Sequence, residues 1–130
     1  MVRRALIVDD DRSIRFVLRQ ALLAHGWEVE EADDGAAVED RLEATRYDLL
    51  MLDLYMPGMN GYEVLRRIRQ PHGGVLPVWK TLPDVRIIVL SGAAGREGLD
   101  FAERLGANAC ITKPFEVGDV LKAANARGGR

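Results

Sequence analysis

The chain has 130 residues, 48% of them hydrophobic and 29% charged, which fits one globular domain spanning 1–130 and excludes wholesale disorder. Eighteen Lys and Arg against twenty Asp and Glu leave a formal charge of −2, without the basic excess of a chain whose main partner is nucleic acid. The single Cys110 rules out an intramolecular disulfide and a cysteine-rich zinc site, and the opening MVRRALIVDDD is too short in apolar residues for a signal core or a membrane span, so a cytoplasmic chain is expected.

Short apolar runs alternate with helical spacing along the chain. Ala5 to Val8 suits a strand buried on both faces, stopped by Asp9, Asp10 and Asp11. Ile14, Val17, Leu18, Ala21 and Leu22 then recur at helical intervals, with Ser13 as the expected cap and Gly26 as the stop. Trp27 to Ala32 alternates weakly and reads as a strand nearer an edge. Gly35 to Ala44 reads as a short helix with Val38 and Leu42 inward. Asp48 to Leu52 is a second buried run, ending at Asp53, and LYMPGMN at 54–60 is loop chemistry. A helix is expected over Gly61 to Arg69, and Arg86 to Leu90 is the clearest strand, ending at Ser91-Gly92. Glu97 to Leu105 reads as a helix stopped by Gly106, and Ala109 to Thr112 as a last strand before Lys113-Pro114. Val117 to Ala126 is the final helix, followed by a frayed tail at 127–130.

Five strands alternating with five helices imply right-handed crossovers, a parallel sheet and helices on both faces: an α/β, doubly wound, flavodoxin-like three-layer sandwich. In such sheets ligands bind beyond the carboxyl ends of the strands. Those ends supply Asp9, Asp10, Asp11, Asp53, Ser91 and Lys113. Aspartates after a strand often do no more than cap a helix or favour a turn. If the first and third strands are neighbours, however, Asp9, Asp10 and Asp53 converge. Two like charges at 4 Å repel by about 1 kcal/mol in water and about 4 kcal/mol at an effective dielectric of 20. A cluster of that kind takes up a proton or recruits a hard cation such as Mg²⁺. A lysine and a hydroxyl opposite it suit a phosphoryl group.

LIVDDD at 6–11, LLMLDLYMPGMNG at 49–61, IIVLSG at 87–92 and ITKPF at 111–115 stand in the order and spacing of one family. The chain resembles the receiver (phosphoacceptor) domain of bacterial two-component response regulators, nearly end to end. The resemblance implies strand order 2-1-3-4-5. It implies Asp53 as phosphoacceptor, Asp10 as a direct Mg²⁺ ligand (Mn²⁺ being possible), Asp9 acting through water, and Tyr55 offering its backbone carbonyl to the metal. It further implies Ser91 as the switch hydroxyl, Lys113 as the lysine that pairs with Asp53 and then with phosphate, and a cis Lys113-Pro114 bond. The implied partners are a sensor histidine kinase or histidine phosphotransfer protein and a downstream protein target, with a homodimer through the face of helix four, strand five and helix five as a further possibility.

Some residues depart from the family pattern. Where many members carry an aromatic switch, three positions before the lysine, this chain has Cys110, read as a small buried residue rather than a redox sensor. Tyr55 either shields the phosphoryl group or lies flat on the surface. Ala93, beyond Ser91, leaves space for a partner's phosphohistidine. The loop 70–84 holds three of the five prolines and apolar Val75, Leu76, Val78, Trp79 and Leu82, so it either folds back on the domain or binds a partner. His25 and His72 are read as solvated. The residues after Pro114 suffice for one helix, so a stand-alone receiver or a piece of a larger regulator is expected. The alternatives are a pseudo-receiver that binds proteins without phosphorylation, and a hydrolase using Asp9-x-Asp11, for which the chain has no length to build a cap.

Overall fold

The computed structural model describes residues 2–35, 37–70, 79–92 and 94–126. Strands β1 (Arg4–Val8), β2 (Glu28–Ala32), β3 (Leu49–Asp53), β4 (Arg86–Ser91) and β5 (Ala109–Thr112) form one parallel sheet in the order β2-β1-β3-β4-β5. Between and after them run α1 (Arg12–Ala24), α2 (Val38–Ala44), α3 (Gly61–Arg69), α4 (Arg96–Arg104) and α5 (Val117–Asn125). This is the flavodoxin-like α/β sandwich with the strand order 2-1-3-4-5.

The layers follow from side-chain alternation along the three central strands. Leu6, Val8, Leu50, Leu52, Ile87 and Val89 point to one face and pack with Val38, Leu42, Leu65, Ile68 and Ala102 of α2, α3 and α4. Ala5, Ile7, Leu49, Met51, Ile88 and Leu90 point to the other and pack with Leu18, Leu22, Val120 and Ala124 of α1 and α5. Strands buried on both faces must be apolar at every position, which is why these runs are unbroken. β2 is an edge strand. Its Glu28, Glu30 and Glu31 pair with Arg4, Arg41, Arg15 and Arg19, which explains its weak alternation.

Several boundaries differ from the sequence expectation. Asp11 rather than Ser13 caps α1: its carboxylate accepts from the Ser13 and Ile14 amides at 2.8 and 3.3 Å. α2 begins at Val38, not Gly35, because Gly35 and Ala37 offer no side-chain cap. α4 starts one residue earlier than read and ends at Arg104, and β2 starts at Glu28 because Trp27 is still in the turn, buried with the Arg3 guanidinium over its ring. α5 ends at Asn125 rather than Ala126. The 54–60 loop closes as a tight hairpin, Tyr55–Met56 against Met59–Asn60, around Gly58 at φ +73°.

The loop after α3 bears on the two readings offered for it. Residues 71–78, with His72, Val75, Leu76 and Val78, lie outside the described residues. The part that follows folds back: the Lys80 and Thr81 amides donate to the last carbonyls of α2, Glu43 and Leu42, at 3.1 and 3.0 Å. Thr81 is buried, its hydroxyl donating to the Thr45 carbonyl and accepting from the Tyr47 amide, and Trp79 packs on the core. Arg69, at the end of α3, holds this return in place. Its guanidinium donates to the carbonyls of Gly106, Pro83 and Val85 and to Oδ1 of Asn108.

Lysine cannot reproduce that fork. Arg69→Lys is therefore expected to lower unfolding free energy by about 2 kcal/mol, because it leaves half-buried carbonyls without donors. Urea denaturation measures it, and a loss below about 0.5 kcal/mol would show that the fork is not what holds residues 83–85.

Candidate functional site

Register brings the polar strand ends together. Val8 lies opposite Leu52, so the next residues, Asp9 and Asp53, come level at the carboxyl edge of the sheet. Asp53 lies opposite Leu90, so Ser91 follows one step beyond it, and Ser91 lies opposite Thr112, so Lys113 comes next. The Lys113 amide donates to the Ser91 carbonyl at 3.0 Å.

Carboxylate oxygens of Asp9, Asp10 and Asp53 all lie within 4.8 Å of one another, with Asp9 and Asp53 buried and Asp10 exposed. The Lys113 ammonium faces them. Its Nζ stands 2.7 Å from Oδ2 of Asp9 and donates to Oδ2 of Asp53 at 3.1 Å. The approach to Asp9 is a close ion contact. Oδ1 of Asp9 accepts the Asp11 amide at 2.8 Å, and Oδ1 of Asp53 accepts the Tyr55 amide at 3.2 Å. The Lys113-Pro114 peptide is cis, as the resemblance implied.

The electrostatics record burial first and the neighbouring charges second. Burial pushes the Asp53 carboxyl above its ordinary value; the Tyr55 amide and Lys113 oppose the rise, and Asp9 adds to it. For Lys113 burial works downward, but the contacts with Asp9 and Asp53 outweigh it and the ammonium is held above its ordinary value. One ammonium thus serves two carboxylates, those of Asp9 and Asp53. The donor set is all oxygen, which is what a hard divalent cation takes.

Ser91 is buried, and its Oγ accepts the Ala94 amide at 3.0 Å. Tyr55 is half exposed, and its ring is held by another residue: its Oη lies 3.2 Å from that of Tyr62. Ala93 lies outside the described residues. His25 is exposed, with Nδ1 against the Ala21 carbonyl.

Two contributors carried no sequence signal. Arg15 of α1 donates to the Asp9 carbonyl at 2.8 Å while Glu31 holds its other edge, fixing the peptide between Asp9 and Asp10. Tyr62 follows Gly61 at the start of α3 and reads simply as a helix residue. Gly61 itself is required, because a Cβ there would lie 2.7 Å from Cα of Leu54.

The family model for the response regulator receiver domain matches residues 5–125. The chain belongs to this family, whose members are the receiver domains of two-component systems. It is similar to the response regulator MprA of Mycobacterium avium (strain 104), 36% identical over 118 residues that cover 91% of this chain and 47% of MprA. It is equally similar, 36% over 118 residues, to the sensor protein EvgS of Escherichia coli K12, of which it covers 9%. The chain thus spans about half the length of the first curated relatives it matches, or less. Among solved structures it is similar to a CheY-like response regulator receiver domain protein from Methanospirillum hungatei JF-1. The TM-score is 0.79 at 30% identity, covering 94% of this chain and 90% of that one. Among the described residues no helix is long and apolar enough to cross a membrane.

Cys110 is half buried, packs on the core and directs its thiol to the Leu99 carbonyl at 3.5 Å. Burial, then the charges of Glu103 and Asp100, push that thiol up to about 12. The thiolate, which is the reactive form, is then scarce at pH 8. Alkylation by iodoacetamide in the native state is expected to be at least roughly 100-fold slower than in urea, read by intact mass. Rates within a few-fold of each other would restore the redox-sensor reading.

Proposed function

We propose that the chain is a phosphorylation-switched receiver acting in the cytoplasm, accepting a phosphoryl group on Asp53 in a Mg²⁺-dependent reaction. The observation that carries this reading is the convergence of Asp9, Asp10 and Asp53 around the Lys113 ammonium. The donor is a phosphohistidine on a sensor kinase or histidine phosphotransfer protein. A carboxylate oxygen of Asp53 forms the new O–P bond as the N–P bond to imidazole breaks, and the leaving imidazole takes the electron pair and a proton.

Asp10 and Asp53, with the Tyr55 carbonyl, would hold the metal directly, and Asp9 would hold it through water. Bound there, Mg²⁺ (or Mn²⁺) neutralises charge on the transferring oxygens. Lys113 starts on the carboxylates and passes to the phosphoryl oxygens as they arrive, keeping a positive charge against the growing negative one. Ser91 exchanges its bond from the Ala94 amide for one to the phosphoryl group. Water later cleaves the acyl phosphate and regenerates the Asp53 carboxylate. Between these events the added charge biases a protein-binding surface toward one of two states, and a downstream protein reads it.

The test is intact mass after incubation with a small acyl phosphate and Mg²⁺. Wild type is expected to gain one phosphoryl group, and to lose that gain when Mg²⁺ is chelated or when Asp53 is replaced by Asn. No gain in wild type would favour the pseudo-receiver, a constitutive protein-binding module on the same fold.

A further inference from the structure

Tyr55 is tied to Asp53 by its backbone and to α4 by its side chain. Its amide donates to Oδ1 of Asp53, and its ring meets Tyr62 edge-on, centroids 6.1 Å apart and planes at 73°. Tyr62 in turn donates its hydroxyl to the Gly98 carbonyl of α4 at 3.2 Å and tilts its ring against Phe101 at 5.3 Å. A phenol has one proton to give. The Tyr62 proton is committed to Gly98, so Tyr55 is the donor in the 3.2 Å contact between the two hydroxyls. The chain of bonds therefore runs in one direction, from Tyr55 through Tyr62 to the backbone of α4. Burial, followed by Tyr55, pushes the Tyr62 phenol up to about 12, so it stays protonated at neutral pH.

Gly98 is matched to this contact. Glycine inside a helix is destabilising relative to alanine. Here a Cβ would stand 2.8 Å from the Tyr62 hydroxyl, so the missing side chain is what opens the carbonyl to the phenol. α4 is otherwise held mainly by apolar contacts, with Leu99 packed on the core. Its cap Gly95 makes no side-chain bond, and among its described residues only Ala102 is buried. Cys110, three residues before Lys113, packs there without a ring and offers only a weak thiol bond to Leu99.

We propose that Tyr62 is a positioning residue that transmits the state of the Asp53 loop to α4, through Tyr55 on one side and the Gly98 carbonyl on the other. When charge at Asp53 grows, the Tyr55 amide changes its bond, the Tyr55 phenol moves with its backbone, and the Tyr62 hydroxyl shifts or leaves Gly98. Two stiff rings with few torsions transmit such a shift with little slack.

This inference rests on the proposed receiver function, and the experiment separates the two. Amide spectra of the full chain with Mg²⁺ are recorded before and after beryllium fluoride for wild type, Tyr62→Phe and Gly98→Ala. Wild type is expected to shift at residues 53, 91 and 113 and along 96–104. Tyr62→Phe is expected to keep the shifts at 53, 91 and 113 while those along 96–104 fall at least roughly threefold. Gly98→Ala, which displaces the phenol without altering either tyrosine, is expected to do the same and guards against a folding defect in the first variant. Undiminished shifts along α4 in both variants would overturn the inference and leave the receiver reading standing. No wild-type shift at 53, 91 and 113 would overturn both.

Discussion

The ammonium of Lys113, held between the carboxylates of Asp9 and Asp53, is the contact on which the carboxyl end of the sheet depends. Parallel pairing sets Asp9 and Asp53 level whether or not they attract, because the register is fixed by the apolar runs below them. Hydrophobic burial of those runs therefore drives like charges together. Lys113 arrives from the far strand, on the cis peptide before Pro114, and offsets part of the repulsion. What remains uncompensated gives the site its appetite for more positive charge; the Asp53 carboxyl is raised above its ordinary value first by burial, with the Asp9 charge a lesser contribution.

The supports around that contact differ in stiffness. Arg15 clamps the Asp9 carbonyl from α1 and is itself held by Glu31, so the acid pair sits on a braced peptide. On the other side, α4 packs on the core through Ala102 and Leu99, with polar links at Tyr62 through Gly98 and, just before the helix, at Ser91 through the Ala94 amide. If the proposed phosphoryl transfer occurs at Asp53, the links at this end of α4 are where a change of charge would be felt. Arg69, far from the cluster, holds the 83–85 return and the turn before β5.

Much of this was legible in the sequence because parallel strands leave a distinctive trace. Ala5 to Val8, Leu49 to Leu52 and Ile87 to Leu90 are unbroken apolar runs since both faces are covered, and each ends in the polar residue that lines the site. Strand order was not legible from periodicity; it came with the family resemblance. The cap of α1 was misread because Asp11 and Ser13 are both good caps two residues apart, and only the backbone decides between them. The fold-back at 79–85 was one of the two readings of the loop, but the backbone amides that hold it to the end of α2 leave no trace in the sequence. Arg69, Arg15 and Tyr62 act through contacts between distant elements, which leave no pattern along the chain.

Among the described residues, the carboxylates of Asp9, Asp10 and Asp53 carry more negative charge than Lys113 balances. The denaturation midpoints of wild type and Asp53→Asn, each with and without Mg²⁺, measure that imbalance. Because the fold holds the Asp53 carboxyl above its ordinary value, the charged form is disfavoured there and neutralising it should stabilise the metal-free protein. Mg²⁺ at tenfold its dissociation constant should then add about 1.4 kcal/mol to wild type and much less to the variant. A metal-free Asp53→Asn less stable than wild type, together with a wild type indifferent to Mg²⁺, would contradict the account.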